Sequence, residues 1–227
     1  MPAPPRRGRP PLTSREAIVD AVLELGLDGA TTSAVAQRLG VDQSTLYRHV
    51  ASRDDMLDAA VAVAVERAEW PEPGDDWARY LRSCAETMWD MFSATPGLAR
   101  RIRAMRTVPP ALVLQSYRIV DHLTRALGFS LREAALIVDT IGDMTADSYL
   151  TIEALDRVVD DERTFRDVAL ASMAAAGGAV PDERMAAEYL EVMRDAMGER
   201  GAPSTWWADK VDLAIDGVRL RLMQRGG

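Results

Sequence analysis

From Thr13 onward, apolar residues recur every three or four positions, the spacing of one face of an α-helix. Ile18, Val22 and Leu25 form such a stripe and predict a helix from about Ser14 to Leu25, capped by Thr13 or Ser14 and ended by Gly26 and Gly29. A second helix is expected from about Ser33 to Leu39 with Thr32 as its cap, then a tight turn at Gly40-Val41. A third runs from Asp42 or Gln43 to His49, and a fourth from about Arg53 to Ala68. Trp70-Pro-Glu-Pro-Gly74 interrupts the pattern. Beyond it, helices are expected over about 76–94, 98–105, 110–127, 130–155, 162–175, 181–197 and 205–224. Period-two alternation is missing, Phe is scarce and β-branched runs are short, so strand signals are absent. The expectation is an all-α fold.

Composition narrows the class. At 48% apolar and 27% charged, the 227 residues can fold around a core and need not be disordered. No run of eighteen apolar residues appears, and the first residues lack the apolar stretch of a secretory signal, so a cytoplasmic protein is expected. A single Cys84 cannot form an internal disulfide, which fits a reducing compartment.

The net charge of −8 argues against nucleic-acid binding until its distribution is considered. The first 55 residues balance seven arginines against seven acids, and the excess acid lies entirely beyond them. Residues 1–12, MPAPPRRGRPPL, are rich in Pro and Arg and read as a flexible basic arm. A neutral head with a basic arm, backed by an acidic body, orients the head toward phosphate.

Residues 31–50, TTSAVAQRLGVDQSTLYRHV, carry the chemistry. Ala36 is small where two helices must cross closely, and Gly40, four residues on, suits a turn with positive φ. Val35, Leu39, Val41, Leu46 and Val50 supply a shared core. The other side of the third helix offers Gln43, Ser44, Thr45, Tyr47, Arg48 and His49, which can hydrogen-bond to base edges and phosphates. The competing reading is a helical hairpin in a bundle, but a buried helix would carry more apolar residues.

LGVDQSTLYRHV followed by SRDDML resembles the recognition region of the TetR family. GFSLREAALIVDTIGDMT (128–145) resembles the start of that family's long dimerisation helix, and WWADKVDLAIDGVRLRL (206–222) its last helix. The resemblance implies a helix-turn-helix DNA-binding domain over 13–55 and a larger helical ligand-binding and dimerisation domain over 56–227. It implies a homodimer on a palindromic double-stranded DNA operator, acting as a repressor released by a small-molecule inducer. Gln43 and Arg48 then become candidates for base contacts, with Ser44 and Thr45 touching bases or thymine methyls. Thr32, Ser33, Tyr47, His49 and Arg53 become candidates for phosphate contacts. In the arm, Arg6, Arg7 and Arg9 lie in RRGRP, which resembles the AT-hook core that enters a narrow minor groove; a solubilising tail touching phosphate loosely is the alternative.

The body is less legible. Trp77, Leu81, Cys84, Met88 and Met91 recur at helical spacing, and sulfur and aromatic groups suit an adaptable apolar pocket. Met105, Tyr117, Val120, Asp121, Val138 and Met144 are candidates to close it, although such stripes are more often plain core. Tetracycline-responsive members of the family hold a drug–metal chelate with histidines and a carboxylate. Glu69, Ala104 and Thr151 stand at those places, so no metal and no cofactor is expected, and either a different small molecule or none at all acts as inducer. His122 is expected to be solvated or hydrogen-bonded. Ala134, Ala135, Gly142 and Ala146, with Val211, Ala214, Ile215, Val218 and Leu222, can build a four-helix interface or pack within the chain. Neither a Ser-His-Asp spacing, a phosphate-cradling glycine loop nor a Cys/His cluster is present, so no enzyme is expected. A helical protein-interaction module is the main alternative.

Overall fold

A computed structural model of the chain describes residues 13–105, 107–160, 162–179, 181–198 and 205–224. The all-α expectation holds. In chain order the helices are α1 (Arg15–Leu25), α2 (Thr32–Leu39), α3 (Gln43–Leu46), α4 (Arg53–Arg67), α5 (Trp77–Ala94), α6 (Leu98–Ala104) and α7 (Pro110–Leu127). They continue with α8 (Leu131–Leu155), α9 (Phe165–Gly177), α10 (Glu183–Met197) and α11 (Thr205–Met223). The chain divides into two compact units, one of Met1–Glu69 and Asp90–Tyr117, the other of Trp70–Trp89 and Arg118–Gly227.

The first unit contains α1 to α4 and α6. Ser14 caps α1, its Oγ accepting the Ala17 N–H at 3.1 Å. The expected cap at Thr32 is corrected by one residue: Thr31 Oγ1 accepts the Ala34 N–H at 3.0 Å, and Thr32 opens α2. Gly40 closes α2 in the left-handed conformation (φ 67°), its N–H returning to the carbonyls of Ala36 and Gln37. Ile18, Val22, Val35, Ala36, Leu46, Val50, Leu57 and Val61 are all buried. All but Val50, which follows α3, fall on the periodic faces of four short helices, none long enough to stand alone in water. An ion pair from Arg67 to Asp20 at 2.7 Å joins α4 to α1.

α6 is tied to the same unit. The Leu27 N–H donates to the Pro96 carbonyl at 2.7 Å. Arg101 reaches Asp54 at 2.9 Å and also binds Asp58, and Arg100 reaches Asp28 at 2.8 Å. Gly97 (φ 84°) makes this approach possible, since a Cβ there would lie 2.8 Å from the Asp28 backbone nitrogen.

The second unit is built on α8. Its N-terminus carries a capping box in which Ser130 and Glu133 satisfy each other's backbone N–H. Leu81, Cys84, Leu123, Ile137, Ile141, Val211 and Ile215 form a buried cluster, with Trp89 stacked on Trp207 at 4.5 Å between centroids. Val211, Ile215 and Val218, offered above as an interface, are thus buried in the chain's own core. His122 is half-buried rather than solvated, its ring edge-on to Tyr80 at 5.2 Å.

One element was not foreseen. β1 (Val158–Asp160) and β2 (Arg163–Thr164) form an antiparallel hairpin where only a helix start was expected. Arg163 pairs with Asp160 across the turn at 2.9 and 2.7 Å. Strands of three and two residues are too short for alternation to register in the sequence.

Candidate nucleic-acid interface

The α2–turn–α3 segment positions the polar residues named above. Leu46 is fully buried and anchors α3 to the core of the unit. Gln43 and Ser44 are then exposed, Thr45 is half-buried, and Arg48 is exposed beyond the helix end. Tyr47 is 51% exposed, a large apolar ring that the core does not use.

The third helix is shorter than expected. After Leu46 the backbone tightens: the Arg48 N–H returns to the Thr45 carbonyl at 3.3 Å and that of His49 to the Leu46 carbonyl at 2.8 Å. These are bonds of the narrower three-residue turn. Tyr47, Arg48 and His49 therefore project from a turn rather than from a regular helix.

Two of the candidate residues meet: Gln43 Nε2 donates to Ser33 Oγ, joining α3 to α2. Thr32 is half-buried and Ser33 exposed at the start of α2. Arg53 is exposed, and its Nε donates to the Ala30 carbonyl at 3.3 Å, so its guanidinium is held near the same end of α2. Arg6, Arg7 and Arg9 lie outside the described residues.

Sequence reasoning missed the support of this surface. Arg15, counted above only as a basic residue, pairs with Asp55 through its two terminal guanidinium nitrogens at 3.1 and 2.7 Å. Its Nη1 also donates to the His49 carbonyl at 3.1 Å. Asp55 accepts the Ala51 N–H at 2.7 Å. The Arg15 guanidinium and that N–H together hold the Asp55 carboxyl at about 2, below its usual range. The α3–α4 connection is thereby fastened to α1. The available signal was Ser52-Arg-Asp-Asp55, an N-terminal capping pattern that places Asp55 in the first turn of α4.

In the second unit, the proposed pocket residues divide. Cys84 is buried in the core, and Trp77, Val120, Val138 and Met144 are partly buried against the same cluster. Burial pushes the Cys84 thiol up to about 12. Met88 is half-buried, while Asp121 is exposed and pairs with Arg125 at 2.5 Å. Met105 and Tyr117 belong to the other unit, where Tyr117 is 67% exposed. Two clefts open on the second unit. One is lined by residues of α8 and α11, the other by residues of α8, α10 and α11, and neither is lined by any of these nine residues.

Among the described residues no group of His, Cys, Asp and Glu has the arrangement of a metal site, and no helix is long and apolar enough to cross a membrane.

Comparison with known proteins bears on the first unit most strongly. Residues 15–60 match the model of the family described as bacterial regulatory proteins, tetR family. The chain is 42% identical over 79 residues to the class D tetracycline repressor protein of Escherichia coli, a match covering 32% of this chain and 36% of that one. It therefore spans little more than a third of that relative's length. A class A tetracycline repressor protein from transposon 1721 of Escherichia coli is 28% identical over 214 residues, covering 93% of this chain and 91% of its own. Among solved structures, ActR of Streptomyces coelicolor in complex with actinorhodin superposes with a TM-score of 0.66 at 20% identity, covering 95% of this chain and 99% of that one. TetR of Acinetobacter baumannii superposes with a TM-score of 0.60 at 21% identity, covering 91% and 95%. At these identities the structural likeness establishes the fold.

Proposed function

We propose, for a chain that belongs to the tetR family of bacterial regulatory proteins, that it is a cytoplasmic repressor that binds a palindromic operator as a homodimer and leaves it when a small molecule binds the body. The observation that carries this reading is the exposed polar set on α3 and its following turn. Gln43, Ser44 and Arg48 face outward while Leu46 alone anchors the helix. Arg48 suits guanine and Gln43 suits adenine. Thr32, Ser33, Tyr47, His49 and Arg53 set the register on phosphate, and Arg6, Arg7 and Arg9 add contacts from the arm. The relatives' names support the small-molecule response: two are tetracycline repressors, and ActR is described in complex with actinorhodin.

The dimer is argued from α8 and α11. The groove between them is lined by Leu136, Thr140, Ala214, Gly217 and Arg221, among others. Leu136 is 49% exposed, and a Cβ on Gly217 or Gly142 would meet nothing within the chain. Small residues and an exposed leucine along a groove between two helices suit a second copy about a two-fold axis. Gly217→Arg is expected to leave the monomer folded and to shift sedimentation from dimer to monomer. An unchanged sedimentation coefficient removes this face from the interface.

The test of DNA binding is a gel shift with palindromes from the chain's own upstream region, at modest salt. Wild-type protein is expected to shift one of them specifically. Deleting residues 2–11 is expected to weaken the shift and flatten its salt dependence. No specific shift across the candidate palindromes would favour a protein-interaction module instead.

A further inference from the structure

The second cleft of the body has the makings of a ligand site. It is bounded by α8, α10 and α11, and its volume of about 170 Å³ is comparable to the ~150 Å³ apolar cavity that accommodates benzene. Trp206, Trp207, Met193 and Met197 line it, together with Thr151, Ser148 and Lys210. Among the described residues, none that lines it is acidic.

Lys210 is the single lysine among 27 basic residues. It is half-buried, and its Nζ donates to Ser148 Oγ at 3.3 Å. Several arginines of this unit pair with carboxylates, among them Arg82 with Asp212, Arg166 with Asp156, Arg184 with Glu188, Arg194 with Glu191 and Arg219 with Asp216. Among the described residues Lys210 has no such carboxylate partner. An ammonium carries three N–H donors, so the bond to Ser148 leaves two for another acceptor. Partial burial beside indoles raises the value of an anion there, since the charge is less screened than at an open surface.

The walls are held in place. Trp207 is 9% exposed, stacks on Trp89, and donates its indole N–H to Thr145 Oγ1 at 3.2 Å. The C-terminal end of α10 is clasped by Arg166, which donates to the carbonyls of Met197 and Gly198 while pairing with Asp156 at 2.7 Å. Trp206, by contrast, is 39% exposed and lines the cleft.

We infer that this cleft binds a small planar aromatic carboxylate, its ring against Trp206 and the methionine sulfurs and its carboxylate on Lys210 and the Ser148 hydroxyl. One cation, with no acid among the described lining residues, selects a monoanion, and flat, polarisable walls select an aromatic ring. The inference goes beyond DNA binding, and a test without DNA keeps the two separable.

The test is isothermal titration calorimetry of the full chain with 2-naphthoate, and with 2-naphthamide as its uncharged counterpart. One site per chain is expected, with naphthoate binding at least about tenfold tighter than the amide, as for a charge-assisted pair. Lys210→Met is expected to erase that preference and Lys210→Arg to retain it. Trp206→Ala is expected to weaken both ligands, and Thr151→Trp, at an exposed position of α8 that faces the cleft, to block both. Circular dichroism confirms that each variant is folded. Absence of binding at millimolar naphthoate, or binding that survives both Lys210→Met and Thr151→Trp, overturns the inference.

Discussion

The head and the body answer the same question differently. In the head, the residues singled out for chemistry are polar and outward, and the structure leaves Gln43, Ser44 and Arg48 exposed. In the body, the residues singled out are apolar, and Cys84, Trp77, Val120, Val138 and Met144 are drawn into or against one packed cluster. The difference lies in what burial can absorb. A small helical unit has no use for a glutamine and an arginine beside its only anchor on α3, so their outward display is informative. A methionine or cysteine on a long helix serves packing and ligand binding equally well, so its identity decides little.

The largest expected effect tests the body side of this contrast. With its thiol pushed up to about 12, Cys84 should alkylate roughly a thousandfold more slowly in the native protein at neutral pH than an ordinary thiol. Mass spectrometry after iodoacetamide should show unmodified native protein and full modification after unfolding. Rapid native labelling would mean that the cluster opens and that Cys84 lines a reachable pocket.

Next comes the anchor of the head. Leu46→Ala removes a fully buried side chain and should cost about 2–5 kcal/mol, read as a fall in thermal stability with loss of specific DNA binding. A variant that keeps both would show that α3 is held by something other than its one apolar contact. Arg48→Ala should leave stability unchanged and lower operator affinity by about 1–3 kcal/mol, with relaxed preference at one base pair. Equal loss on all sequences would reassign Arg48 to phosphate.

The smallest effect concerns the strut beneath the interface. The Asp55 carboxyl is depressed to about 2 by Arg15 and the Ala51 N–H. The pair therefore contributes fully above about pH 4 and loses its contribution as the pH falls through 2. Both partners are partly exposed, so Asp55→Asn should cost less than about 1 kcal/mol at neutral pH. The gap between wild type and variant should close in acid, as urea unfolding across pH can measure. A gap independent of pH would assign the loss to packing.

Local chemistry made much of this protein readable. The helix-turn-helix spacing, Gly40 in its left-handed turn and the Ser130 cap of α8 all follow from side chains acting on their own backbone within a few residues. Even the miss at Thr32 was a choice between adjacent threonines of equal capping ability. The hairpin at 158–164 was invisible because five strand residues carry no measurable period. What only tertiary structure decided depends on residues distant in sequence. Arg15 became a strut because Asp55, forty positions away, was brought to it. Val211 and Ile215 became core because Leu123 and Ile137 face them in the same cluster. Lys210 lines an aromatic cleft because α8, α10 and α11 converge there. Periodicity states that a face is apolar; only the folded chain determines which other face covers it.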